Sequence, residues 1–225
     1  MGVRYFLLIV ILVLLGGCGG DGGSIPIASV DRNGYTTVNN NQLSVQLTNL
    51  PVGTLSAEET AGILLMREEE KLARDVYRSL ANLFSQPTFD NIADSEETHM
   101  QAMLLLVQRY NLTDPVGSQG IGSFTDPQLQ QLYVQLVDEG STDLVAGLSI
   151  GARIEELDIA DISRLETQLE DNADIALVYD NLKRGSRNHL RAFYQQIVSN
   201  GGSYTPVYLS ADEFNAIINS DIERG

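Results

Sequence analysis

Two histidines and a few glutamates are the residues of this sequence whose types and spacing could do chemistry. His99 and His189 are the only imidazoles among 225 residues, and Glu96 stands three positions before His99. On a helix, residues three apart lie one turn apart on the same face. Glu96-x-x-His99 can therefore present an oxygen and a nitrogen to one metal ion. The pattern indicates carboxylate–imidazole metal chemistry.

Composition excludes several other classes of site. Cys18 is the only cysteine, which rules out an intramolecular disulfide framework and any zinc or iron–sulfur site built from several cysteines. The formal charge of −16 repels phosphate backbones, so we expect no nucleic-acid partner. No glycine-rich phosphate loop follows a strand pattern in the chain.

Helical periodicity predicts which elements carry the candidate residues. Four long amphipathic runs are predicted as helices at about 56–84, 90–110, 141–169 and 173–199. Shorter helices are expected after the caps Asp126 and Ser210, and the alternation from Gln42 to Leu47 allows a short strand. Four long helices with extended connections predict an all-α fold, specifically a four-helix bundle with additional short helices.

Placed at 100° per residue, the chemical residues fall on the apolar faces of these helices. Glu96 and His99 share one such face, and His189 lies on another. The first helix directs both Glu69 and Glu70 inward, and the third does the same with its own glutamate pair, Glu155 and Glu156. Isolated carboxylates are costly to bury, so these positions favour a bound cation. Spacing alone leaves open which member of each pair faces the cation.

The chain also contains an internal repeat. Ser95–Met103 can be laid over Gly185–Phe193 so that the two histidines align. The Glu69-Glu70 pair, with an aspartate five residues after Glu70, likewise matches Glu155-Glu156. We therefore expect two helical pairs, each a glutamate-bearing helix followed by a histidine-bearing helix. Tyr77 and Tyr110 are predicted to point inward as packing residues.

These motifs resemble the ferritin-like superfamily, whose members hold two metal ions inside a four-helix bundle. Glu70-x-x-Ala73-x-x-x-Tyr77 resembles the first-helix motif of bacterioferritins and rubrerythrins, and Glu96-x-x-His99 their second-helix motif. Over residues 56–215 the chain is similar to a prokaryotic ferritin-like family known only as a domain of unknown function. The more specific runs are Arg67–Tyr77, Ile154–Asp161 and Gly185–Phe193.

The resemblance implies a ligand set and a cofactor. The set is Glu70, Glu96, His99, Glu156 and His189, with Glu70 chosen for its distance from Tyr77 and Glu156 through the repeat. Iron is the implied metal, with manganese as the second candidate. Ser186 stands where the superfamily has a glutamate three residues before its second histidine, so the centre is expected to be asymmetric or mononuclear. Glu69 and Glu155 stay open as further ligands or supporting groups.

The sequence is compatible with two functions. The first is a metal protein with oxygen or peroxide redox chemistry. The alternative is a non-catalytic acidic surface module whose metal or polar cluster is structural. Expected partners are metal ions, a membrane through a lipid anchor and a second copy of the chain as a homodimer.

The amino terminus predicts export. Residues 1–17 have one positive charge, Arg4, followed by an apolar run, as in a signal peptide. Leu15-Gly16-Gly17-Cys18 resembles a bacterial lipobox, which makes Cys18 the predicted site of lipidation. Residues 18–50 are predicted to be a flexible tether and residues 51–225 the ferritin-like domain. The expected location is the cell envelope, on the extracytoplasmic side of a membrane.

Overall fold

Seven helices and one small hairpin make up the protein in the computed structural model, which describes residues 26–224. The bounds are β1 Ala28–Val30, β2 Thr36–Val38, α1 Asn40–Thr48, α2 Ala57–Ala81, α3 Pro87–Arg109, α4 Pro127–Gly140, α5 Leu144–Glu166, α6 Ala173–Ser199 and α7 Ala211–Ile218. The described part is thus mainly helical, in agreement with the predicted all-α class. The predicted signal peptide and Cys18 lie outside the described residues.

The four long helices form two pairs. Helix α2 packs along α3, α5 packs along α6, and the pairs meet through α2–α5 and α3–α6 contacts. Side-chain caps fix where the helices start: Ser56 and Glu59 form a capping box at α2, and Asp126 accepts backbone N–H groups at α4. This packing brings the glutamate-bearing and histidine-bearing helices together.

A polar layer crosses the middle of these four helices. One hydrophobic cluster, which includes Tyr77, Phe89 and Phe193, lies on one side of it. A second, which includes Met66, Met103 and Leu182, lies on the other. Each long helix passes from one cluster to the other through its buried charged residues. The layer is therefore enclosed by apolar side chains along the bundle axis.

The amino-terminal segment differs from the predicted tether. Residues 26–50 contain both strands and α1, and Ala28, Val38, Leu43 and Leu47 are buried. The strand suggested for Gln42–Leu47 is wrong, because these residues lie in α1, which begins after the Asn39 cap. The apolar residues of this segment bury against the bundle, and that packing outweighs its loop-like composition.

Two helix starts also differ from the prediction. Helix α3 begins at Pro87, three residues before the expected start, because proline needs no N–H partner at the first helical position. Helix α5 begins at Leu144, three residues after the expected start at 141, because Asp143 is the residue that accepts the N–H of Ala146. Among the described residues, no helix has the length and apolarity needed to cross a membrane.

A buried lysine fastens the long connection between α3 and α4 to the bundle. Lys71 pairs with Asp75 inside the protein and donates to the Gly120 carbonyl at 2.8 Å. Its ammonium group lies 4.3 Å from the centre of the Phe124 ring, and Asp75 accepts the N–H of Gly122. These contacts hold the loop ahead of α4 against α2.

Candidate metal centre

Glu96 lies between the two imidazole rings at the centre of the polar layer. Its Oε2 is 2.6 Å from Nδ1 of His99, and its Oε1 is 2.8 Å from Nδ1 of His189. The rings are 5.5 Å apart between centroids and nearly parallel. Helix α3 supplies Glu96 and His99 from successive turns, and α6 supplies His189. One carboxylate thus faces both histidines.

A second carboxylate stands beside each histidine. Glu70 on α2 lies 3.3 Å from Nδ1 of His99, and Glu155 on α5 lies 3.6 Å from Nδ1 of His189. Tyr77 donates a hydrogen bond of 2.7 Å to Oε1 of Glu155. The arrangement is approximately two-fold: a glutamate and a histidine from each helical pair, with Glu96 shared between them.

Glu156 lies away from the two histidines, contrary to the prediction, and its neighbour Glu155 takes the expected place. Its Oε2 accepts the backbone N–H groups of Val207, Tyr208 and Leu209 at 2.8–3.0 Å. A shift of one residue turns a side chain by about 100° around a helix, so the two neighbours point to different places. The structure therefore places Glu155, and not the Glu156 chosen through the repeat, beside His189.

Asp158 is a residue that the sequence reasoning missed. It follows Glu155 by three positions, is 1% exposed, and its Oδ2 has no hydrogen-bond partner among the described residues. Burial raises the pKa of Asp158 well above its usual range, and the charges of Glu70 and Glu155 raise it further. The spacing Glu155-x-x-Asp158 is the signal that could have identified it.

Ser186 and Tyr110 do not supply groups to the centre. The Ser186 hydroxyl donates to the Leu182 carbonyl of its own helix at 3.2 Å. Tyr110 caps the end of α3 and donates to Asp174 at the far end of the bundle. The position three residues before His189 therefore contributes no carboxylate, and Asp158 is a further buried carboxylate on α5.

The backbone of two neighbouring segments fixes the histidine rings. Gly185 packs against His99 so closely that a Cβ there would lie 2.6 Å from Cε1 of the ring. The N–H of Thr36 in β2 donates to Nε2 of His189 at 3.1 Å. An imidazole that accepts at Nε2 carries its proton at Nδ1 when neutral. The hairpin thus selects the tautomer of His189.

The electrostatics of the centre separate its carboxylates into two kinds. Burial raises the pKa of Glu70 to about 7 despite the opposing charge of His99. Burial likewise raises the pKa of Glu155 to about 7, with a further increase from Glu96. The pKa of Glu96 lies below its ordinary value, because the two imidazoles outweigh the cost of burial.

The imidazoles show the reciprocal effect. Burial lowers the pKa of His189, and the charges of Glu96 and Glu155 raise it. The Thr36 N–H opposes this rise, because it donates to Nε2 and so favours the neutral ring. His99 is shifted in the same upward direction by Glu96 and Glu70, again against burial. Opposite charges within this buried layer therefore stabilise one another.

The donor set fits a divalent metal ion. Oxygen and nitrogen atoms of the centre approach to hydrogen-bonding distance, but several have angles that no hydrogen bond allows. Within residues 26–224 these atoms are both oxygens of Glu70, Oε1 of Glu96 and Nδ1 of each histidine. Glu96, His99 and His189 each offer one ligand atom, and these three atoms lie within 4.8 Å of one another. Buried polar atoms without partners are costly, and a shared cation would satisfy them.

Comparison with known proteins gives a family and one solved relative. The family model described as "Uncharacterized protein domain (DUF2202)" matches residues 59–221. "Uncharacterized protein MJ0754" of Methanocaldococcus jannaschii is 48% identical over 179 residues, covering 80% of this chain and 96% of that protein. The crystal structure titled hypothetical protein MJ0754 from Methanococcus jannaschii DSM 2661 has 46% identity and a TM-score of 0.75, covering 77% of this chain and 99% of that one.

Proposed function

The chain belongs to the family of the uncharacterized protein domain DUF2202, and from that premise we propose that it is a ferritin-like metalloprotein with a buried carboxylate–histidine centre. The observation that carries this proposal is the Glu96 carboxylate set between Nδ1 of His99 and Nδ1 of His189 without hydrogen-bond geometry at either nitrogen. The pairing of α2 with α3 and of α5 with α6 supports a four-helix bundle of the ferritin-like type.

Charge balance supports a site for two divalent cations. Four carboxylates, those of Glu70, Glu96, Glu155 and Asp158, lie in the layer with two histidines. With neutral imidazoles, their four negative charges equal the charge of two divalent ions. Buried charge is tolerated when it is compensated, and two divalent ions would leave this group of four carboxylates and two histidines with no net charge.

Iron is the proposed metal and manganese the second choice, because both accept mixed carboxylate and imidazole ligands. A bound iron pair would supply electrons for the reduction of oxygen or peroxide. The protein would position one ligand and exclude water. Tyr77 orients Glu155 through a hydrogen bond, and the hydrophobic clusters enclose the layer. From the sequence alone, we propose export and anchoring through Cys18.

Neighbouring glutamates on α5 give a matched test. Glu155→Gln should lower metal content sharply, because Glu155 lies in the layer, whereas Glu156→Gln should leave it unchanged. We expect about two equivalents of iron or manganese in the parent protein after anaerobic loading and removal of free metal. Elemental analysis measures the content. Absence of metal in the parent, or equal loss in both variants, would contradict the proposal.

A structural metal is the second candidate function. The four carboxylates and two histidines of the layer are at most 1% exposed, which suits an ion that braces the fold as well as one that reacts. Oxygen uptake by the iron-loaded protein separates the two. A loaded centre that consumes oxygen or peroxide supports redox chemistry, and a loaded but inert centre supports the structural alternative.

A further inference from the structure

Three consecutive glutamates on α2 have three different environments. Glu68 accepts the backbone N–H groups of Thr125 and Asp126, and Glu70 faces His99. Glu69 is 4% exposed, and its Oε2 has no hydrogen-bond partner among the residues described. Asp161 and Glu70 are its acidic neighbours. A buried carboxylate with acidic neighbours requires an explanation.

Glu69 lines a groove between α2, α4 and α5. The groove has a volume of about 260 Å³, and its polar lining includes Asp126, Gln128 and Asp161. Arg164 is the cation among the charges that act most strongly on Glu69, and it is paired with Asp161. The lining is therefore negative, and Glu69 joins it to the interior.

Carboxylates continue from this groove to the metal centre. On α5, Asp161, Asp158 and Glu155 follow one another at three-residue intervals, so they lie along one face of the helix. Their exposure falls from 19% for the Asp161 side chain to 1% for Asp158 and 0% for Glu155. Asp158 has an oxygen without a partner, and it lies near enough to Glu69 and Glu70 to feel both charges.

We propose that this groove is the entrance for the divalent cation of the centre, with Glu69 as a transit ligand and Asp158 as the next carboxylate inward. The inference rests on the proposed function, because an entrance needs a centre to serve. A cation that leaves water must replace its hydration shell with other oxygen ligands. The apolar clusters offer none along the bundle axis, so the cation would enter from the side of the bundle. The carboxylates supply those oxygens in sequence.

The test is the rate of cation uptake in Glu69→Gln. Cobalt(II) is the probe, added to the metal-free protein and followed by its visible absorbance in a stopped-flow instrument. We expect uptake and release to slow together by about tenfold or more, since the transit site loses its charge, while the final stoichiometry and Kd stay unchanged. Asp180→Asn on α6 removes the same charge from an exposed position elsewhere and should load at the parent rate.

A second variant tests the groove without removing a buried group. Gln128→Lys places a positive charge at the exposed edge of the groove, and it should slow uptake most at low ionic strength. Parent-rate uptake by both Glu69→Gln and Gln128→Lys would overturn the entrance while leaving the centre intact. Reduced stoichiometry in Glu69→Gln would make Glu69 a ligand of the centre and also overturn the transit role. No uptake by the parent would instead contradict the proposed function.

Discussion

At the scale of single residues, the contacts around each ring limit which side chains the centre tolerates. Gly185 leaves room for the His99 imidazole, and no Cβ could occupy that space without displacing the ring. The adjacent Ser186 is as deeply buried but is engaged only with its own helix. The two neighbours therefore make a matched pair for mutation.

Gly185→Ala should weaken metal binding by about tenfold or more, because a Cβ 2.6 Å from Cε1 displaces the His99 ring and a displaced ligand loses its geometry. Ser186→Ala should bind metal as the parent does. Isothermal titration with manganese(II) measures both affinities, and circular dichroism checks that each variant is folded. Equal affinity in Gly185→Ala and the parent would show that the His99 ring does not need its observed position.

Helical periodicity could place most of the candidate ligands on the correct helix faces, but not all of them. Glu70, Glu96, His99 and His189 were placed on inward faces by periodicity, and the structure brings these four together. Glu155 and Glu156 could not be separated, because both fall within the broad apolar arc of α5. What separates them is the loop at residues 207–209, whose free N–H groups bind Glu156. That contact depends on tertiary structure, which helical periodicity does not report.

At the scale of elements, the hairpin belongs to the site although it precedes the segment matched by the family model. The Thr36 N–H donates to Nε2 of His189, and the Val38 N–H donates to Oγ1 of Thr98 at 2.8 Å. The sequence did not reveal this, since the composition of residues 18–50 is that of a linker. Long-range burial of a few apolar residues determines the outcome.

Metal binding should change the amide exchange of one residue in β2. A neutral imidazole that binds metal through Nδ1 carries its proton at Nε2, where it can no longer accept from Thr36. We expect the Thr36 amide to exchange with solvent faster in the metal-bound protein. Val38 is the internal control, because its acceptor is the Thr98 hydroxyl. Nuclear magnetic resonance with diamagnetic zinc(II) measures both amides, and an unchanged Thr36 amide would argue against ligation through His189 Nδ1.

At the scale of the whole molecule, the polar layer couples stability to pH. The folded pKa of about 7 for Glu70 and Glu155 exceeds the value of 4.5 for a free glutamate, so the metal-free fold loses their contribution as pH rises through 7. Metal binding has the opposite dependence, because protons compete for the same atoms.

The gain in Tm on adding manganese(II) should therefore be greater at pH 8 than at pH 5.5. At a hundredfold excess over Kd, the gain at pH 8 should be about 5–10 °C. Differential scanning calorimetry at both pH values, with and without metal, measures it. Magnesium(II) at the same concentration is the control for ionic strength. A gain that is equal at the two pH values would contradict the role of the titrating groups.

The approximate two-fold arrangement of the centre has a consequence for how the protein can be divided. Glu70, Glu96 and His99 all precede the turn at 141–143, whereas Glu155, Asp158 and His189 all follow it. A chain cut at that turn would yield two fragments, each with an incomplete ligand set and one exposed apolar face. A bound metal ion would then link the two fragments, so the extent of their reassembly would measure ion binding.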